Sequence, residues 1–154
     1  MKLEIKRTKN VKGTLEIAKN LPDYFNEKGL LQISKDVKRH HLFGVFIGKK
    51  MVGFATYKKV NRDVLEITWL GISLEFQRRG IGGKLVQESL RQMRNKYKLC
   101  IVKTLADSDS SKPYKKTRAF YKAIGFIPLE PISPYPGWDS DNPCQIFVKP
   151  LFPV

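Results

Sequence analysis

Apolar and polar positions along the chain follow two periods, and the switches between them lay out the elements. Leu3 and Ile5 alternate with charged neighbours and predict a first strand. Leu15, Ile17, Ala18 and Leu21 line a short helix ending before Pro22, and Leu30, Ile33 and Val37 carry helical spacing in a second helix around Leu30 to Lys38. The pattern then turns β-rich. His41 to Ile47, the turn Gly48-Lys49-Lys50, and Met51 to Tyr57 read as an antiparallel hairpin. After the turn Asn61-Arg62-Asp63, Val64 to Ile72 is apolar for most of its length, as a central strand is. A glycine-rich turn opens a helix from about Gly80 to Lys96, with Ile81, Leu85, Val86, Leu90 and Met93 at helical spacing. Leu99 to Leu105 is the next strand and Asp107 to Lys112 a polar loop. Pro113 opens a helix that Gly125 ends. Phe126 to Leu129 is extended, Pro131 to Pro143 is a long loop, and Cys144 to Val148 is the last strand. Hairpins followed by strand–helix–strand–helix–strand predict an α+β domain, a mostly antiparallel sheet with one crossover in the middle.

Length and composition narrow this further. The 154 residues fit one domain, 1–154, with one core. No apolar run approaches the roughly 20 residues of a membrane helix. The first residues, Met1 to Arg7, interleave charge with apolar side chains instead of forming a signal-peptide block, so the expectation is a cytoplasmic protein that does not enter membranes. Cys100, inside an apolar run, and Cys144 show no metal-ligand spacing and are expected to be buried small hydrophobes; no metal is expected. The net charge of +15 favours anionic partners.

The chemistry centres on Gln77-Arg78-Arg79-Gly80-Ile81-Gly82-Gly83-Lys84, between an apolar strand and an amphipathic helix. Glycines there let the backbone approach a ligand, and the unsatisfied N–H groups of a helix start attract anions. Two familiar phosphate motifs fail. The dinucleotide fingerprint needs a glycine where Leu85 stands, and the Walker pattern needs Ser or Thr at that same position.

Gln77-x-x-Gly80-x-Gly82 resembles the [RQ]-x-x-G-x-[GA] signature of the GNAT acetyltransferase superfamily. Leu70-Gly71-Ile72 is similar to the Leu-Ala-Val that leads into that turn, and Tyr121-Lys122-Ala123-Ile124-Gly125-Phe126 is similar to a late Tyr-x-x-x-Gly-Phe element. The order of elements agrees along most of the chain, most clearly from Val45 to Leu129. The resemblance implies a GNAT-type fold with a central splayed pair of parallel strands, Val64–Ile72 and Leu99–Leu105, and helices on both faces. It implies acetyl-CoA as acyl donor. Backbone N–H groups of Gln77 to Lys84 would hold the pyrophosphate, with Arg78, Arg79 and Lys84 adding positive field. Leu70, Gly71 and Ile72 would pair with the pantetheine arm, and an N–H among them would polarise the thioester carbonyl. The family often carries Asn seven residues before the late tyrosine, to touch the arm; here Tyr114 stands there.

Acetyl transfer to an amine also needs a proton acceptor for the amine and a proton donor for the leaving thiolate. The resemblance makes Tyr121 the candidate acid, against the plainer reading of a packed core aromatic. Glu66, a carboxylate in an otherwise apolar strand, is the candidate base; its spacing from the glycine-rich turn resembles that of the base glutamate in histone-type acetyltransferases. The alternatives are a surface glutamate paired with a lysine, and an ordered water in its place. His40 and His41 are runners-up. The acceptor is an amine, and the basic surface favours an anionic molecule over a polycation, although Trp138, Asp139 and Asp141 in the late loop would locally reverse that sign. Weak electrostatic binding to nucleic acid is expected, and a homodimer follows the family's habit. A non-catalytic acyl-CoA sensor and a basic nucleic-acid-binding module are the competing functions.

Overall fold

In the computed structural model, residues 2–105, 112–138 and 143–152 are described. The chain order is β1 (Glu4–Arg7), α1 (Val11–Lys19), α2 (Glu27–Asp36), β2 (His41–Ile47), β3 (Lys50–Lys59), β4 (Val64–Ile72), a single 3-10 turn (Leu74–Phe76), α3 (Ile81–Met93), β5 (Leu99–Leu105), α4 (Lys112–Ala123), β6 (Ile127–Ile132) and β7 (Cys144–Pro150). One seven-stranded sheet runs β1-β2-β3-β4-β5-β7-β6. Every neighbouring pair is antiparallel except β4 and β5. Among the described residues no helix is long and apolar enough to cross a membrane.

The sheet carries a core on each face. On one, Leu65, Ile67, Cys100 and Val102 meet the apolar stripe of α3 (Ile81, Leu85, Val86, Leu90, Met93) together with Tyr121. On the other, Phe54 and Leu42 meet Ile17, Ala18 and Leu21 from the α1 region and Ile33 and Val37 from the α2 region. Burying an apolar stripe this way, at roughly 25 cal/mol per Å² removed from water, is what holds each helix down.

The starts of α1 and α2 are fixed by asparagines. The Asn10 side chain accepts from Gly13 N at 2.9 Å and Asn26 from Gly29 N at 2.8 Å, each satisfying an otherwise unpaired amide of the first turn. These caps put the beginnings of α1 and α2 ahead of Leu15 and Leu30, and α2 runs from Glu27 to Asp36, short of the expected Lys38. β5 and β4 have the expected bounds.

The feature that positions the site is a bulge. β3 and β4 pair with Thr56 opposite Trp69 but Tyr57 opposite Ile67, leaving Thr68 as an extra residue. The extra residue reverses the alternation. Leu65 and Ile67 face the α3 side, as do Leu70 and Ile72, while Trp69 faces α1 and α2. At the same point the parallel pairing stops. The register runs from Val64 with Leu99 to Ile67 with Val102, although β4 continues to Ile72 and β5 to Leu105.

Candidate active site

A cleft of about 540 Å³ opens along the unpaired half of β4, in the size range of small-molecule sites. Its floor is β4 from Thr68 to Ile72. One end is the turn into α3, with Gln77, Arg78 and Gly80 to Gly83. The far wall is Lys116, Thr117, Phe120 and Tyr121 of α4, and the other end is closed by Leu21, Tyr24 and Phe25. A smaller recess of about 120 Å³ lies between the strands and shares Thr68, Trp69, Leu70, Thr117 and Tyr121 with the larger one, adding Lys103 and Thr104 from β5.

The glycine-rich turn has backbone that side chains resist. Gly80, the cap of α3, has φ +75°, and Arg78 has φ +61°. A left-handed residue here swings the chain from the end of β4 into the helix. The Gln77 amide fastens the turn by donating to the Ile72 carbonyl at 2.9 Å. The first intrahelical bond runs from Lys84 N to Gly80 O at 3.2 Å. The amides before it have no partner within the helix, the arrangement that favours anions at a helix start. Space beside Gly80 is open, whereas a side chain at Gly82 would meet the Phe120 ring at 3.3 Å. One glycine therefore serves the turn and the other lets α4 close over it. The three expected cations are not equivalent. Arg78 lines the cleft. The Arg79 guanidinium lies over the Phe76 ring at 5.5 Å. Lys84 lines a separate surface groove beside Glu4 and Glu88.

Tyr121 is 5% exposed and stands edge-on to Phe120 and Phe126, yet it lines both hollows. It is thus both the packed aromatic and the wall of the site. Burial pushes its hydroxyl well above the ordinary phenol range, so it remains a protonated donor at any working pH. The Tyr114 side chain lies outside the described residues, as do Asp107, Asp139 and Asp141. Trp138 stacks edge-on against Tyr135.

Glu66 lines neither hollow. It sits two residues before Thr68, and its Oε1 is 3.3 Å from Lys103 Nζ, with only 13% and 25% of the two side chains exposed. Burial alone would lower the lysine's proton affinity, but hydrogen bonding to Tyr135 and the Glu66 carboxylate outweigh it and raise its pKa. His41 packs edge-on to Tyr97, and its ring nitrogens contact Arg7 and Tyr97 rather than either hollow. His40 is different. Its Nδ1 is 3.0 Å from Thr68 Oγ1. Asp36 Oδ1 lies 3.9 Å from its Nε2, and the Asp36 carboxylate accepts from the Trp69 indole at 2.8 Å and the Gln32 amide at 2.9 Å. The hydrophobic pattern gave no sign of this cluster. Its one signal was Thr68, a polar residue within a mostly apolar strand.

Cys100 and Cys144 are free and buried, and burial raises the Cys100 thiol out of the nucleophilic range. Among the described residues no three His, Cys, Asp or Glu side chains gather to hold a metal ion.

A sheet parted beside a left-handed turn and a helix start is the architecture of an acyl-CoA acyltransferase. The acetyltransferase (GNAT) family profile matches residues 13–126, and the chain belongs to that family. It is an acetyltransferase, and acetyltransferases of this family take acetyl-CoA as acyl donor. Solved structures agree over nearly the whole length. A Desulfovibrio desulfuricans protein assigned to the GNAT acetyltransferases superposes with TM-score 0.85 at 15% identity, over 98% of this chain and 100% of its own. A GNAT acetyltransferase from Elizabethkingia anophelis with acetyl-CoA bound gives 0.72 at 18%, covering 96% and 97%. The ribosomal-protein-S18-alanine N-acetyltransferase of Escherichia coli gives 0.75 at 18%, covering 99% and 96%. No curated protein matches the chain closely enough to count.

Proposed function

We propose that this single-domain protein transfers acetyl from acetyl-CoA to a primary amine by direct attack in a ternary complex. The observation that carries the reading is the continuous cleft from the amides of the α3 start, past β4 from Leu70 to Ile72, to the hydroxyl-bearing wall at Tyr121. The donor's pyrophosphate would lie on the turn from Gln77 to Gly83, beside Arg78. Its arm would extend along Leu70, Gly71 and Ile72, where a backbone N–H would stabilise the oxygen as charge develops. Tyr121 would protonate the departing thiolate. The Glu66 carboxylate would favour loss of the amine proton from behind the bulge, acting through a neighbouring group.

The acceptor follows from the lining of the cleft. Among the described residues of the larger hollow are two cations, Arg78 and Lys116, and no carboxylate, while Leu21, Tyr24, Phe25 and Trp69 make the end nearest α1 apolar. That supports an amine on an apolar or anionic molecule and disfavours a polyamine by like-charge repulsion. Contact with nucleic acid would be a weak, salt-dependent consequence of the net charge of +15.

Titration calorimetry of the full chain with acetyl-CoA tests the reading. One-to-one binding that Gly80→Trp abolishes with the circular dichroism spectrum unchanged is expected. Absence of binding at millimolar acetyl-CoA would overturn it. Spermine outperforming phenylalkyl or phosphorylated amines as acceptor would overturn the substrate class alone.

A further inference from the structure

We propose that Thr68 and His40 form a proton relay, in which the acceptor ammonium gives a proton to Thr68 Oγ1 as Thr68 passes its own to His40 Nδ1. The inference rests on acetyl transfer at the cleft described above. Thr68 is the bulge residue and lines both hollows. His40 lines neither; its side chain is 12% exposed and reaches the site through the 3.0 Å contact to Thr68 alone. It therefore acts through the threonine and does not touch substrate.

The hydrogen bonds give the relay a direction. Thr56 Oγ1, fully buried, lies 2.7 Å from Thr68 Oγ1 and can donate to it. Thr68 has one proton to give. His40 Nδ1 at 3.0 Å competes for it with the Thr56 carbonyl at 3.2 Å. On the far side of the ring Asp36, anchored by Trp69 and Gln32, favours a proton on Nε2. Which ring nitrogen is protonated follows from the partner of the other, so Nδ1 presents its lone pair to Thr68. Burial lowers the basicity of His40, the carboxylates of Asp36 and Glu66 raise it, and Lys58 and Arg39 lower it. The ring is accordingly neutral at pH 7 and can take a proton. The two carboxylates then stabilise the imidazolium.

The protons balance. The ammonium loses one proton through Thr68 to His40. The neutral nitrogen attacks the carbonyl carbon, the C–N bond forms and the C–S bond breaks. The thiolate takes the Tyr121 proton, and the surplus proton on the new amide restores Tyr121. His40 releases its proton to solvent, so one proton is set free per turnover.

The test uses the full chain labelled with nitrogen-15 histidine. His40 and His41 are the two histidines, and His41→Gln assigns the spectrum. A neutral His40 protonated on Nε2, whose ring signals move in Thr68→Val while those of His41 stay, is expected. A neutral His40 protonated on Nδ1, or a His40 charged at pH 7, would overturn the relay whether or not an acceptor is in hand. In turnover with acetyl-CoA and 2-phenylethylamine, His40→Asn keeps an amide near Thr68 but takes no proton. It should lower kcat about a hundredfold, move the acidic limb of the pH profile from the histidine up to the amine's own ionisation and leave the KM for acetyl-CoA unchanged. Methoxyamine, already neutral at pH 7, should suffer much less. An equal loss for both amines would reduce His40 to a structural role. Failure of wild-type protein to bind acetyl-CoA would instead remove the acetyl-transfer reading and leave the tautomer result to stand by itself.

Discussion

Glu66 Oε1 and Lys103 Nζ meet at 3.3 Å across the two parallel strands; Glu66 still lies within the paired register, opposite Ile101, while Lys103 is one step past Val102, the last paired residue of β5. Both side chains are mostly shielded, so removing one leaves the other charge poorly solvated. Lys103→Met should cost about 2 kcal/mol, between the exposed-pair and buried-pair ranges. Adding Glu66→Gln should recover part of the loss. Urea unfolding of the two single variants and the double variant measures this coupling.

Arg78→Gly should move two observables in opposite directions. At φ +61° the arginine holds a conformation that costs a side-chain-bearing residue about 1 kcal/mol. Glycine relieves that cost while removing a cation from the cleft. Thermal stability without ligand should hold or rise, and acetyl-CoA affinity, measured by calorimetry, should fall.

Asn10→Ala should destabilise without touching chemistry. It deletes the acceptor for Gly13 N at the start of α1, worth about 1 kcal/mol. The urea midpoint should drop, while kcat at a temperature where the variant is fully folded should match wild type.

Tyr121→Phe should lower turnover about a hundredfold with acetyl-CoA binding retained, since the ring stays packed on Phe120 and Phe126. It also has a signature in folding. The phenol is raised in the folded protein above its unfolded value of about 10. Its contribution is therefore intact below that pH and lost as pH rises above it. The variant should lose less stability than wild type between pH about 9 and about 11, with Tyr57 and the Cys100 and Cys144 thiols, also raised by burial, contributing to what remains.

Neither cysteine should react with a thiol reagent in the native state, because Cys100 and Cys144 are both buried. Full denaturation should release two thiols per chain. Prompt labelling of the native protein would show the β5 region opening locally.

Much of this was legible because it depended on local pattern. β4 and β5 announce themselves as apolar runs, α3 by its stripe from Ile81 to Met93, and the turn by Gln77, Gly80 and Gly82. The starts of α1 and α2 were less so, since Asn10 and Asn26 set them through single side-chain bonds ahead of Leu15 and Leu30. The partners of the site were hidden for a different reason. His40 and Thr68 are 28 residues apart and meet only once the sheet has formed. Glu66 is conspicuous in the sequence, but its pairing with Lys103 depends on strand order, which no local period encodes.

The halt in pairing after Ile67 and Val102 divides the sheet into two leaves. β1 to β4 form one leaf, β5, β7 and β6 the other, and four residue pairs make the spine between them. Each leaf is hydrogen-bonded along its own length, whereas the angle between them is held by this short spine and the core packed across it. A slender ligand that hydrogen-bonds to both inner margins would lock that angle. Donor occupancy should then register as slowed amide exchange along both margins at once, a mechanical effect extending beyond the residues the donor touches.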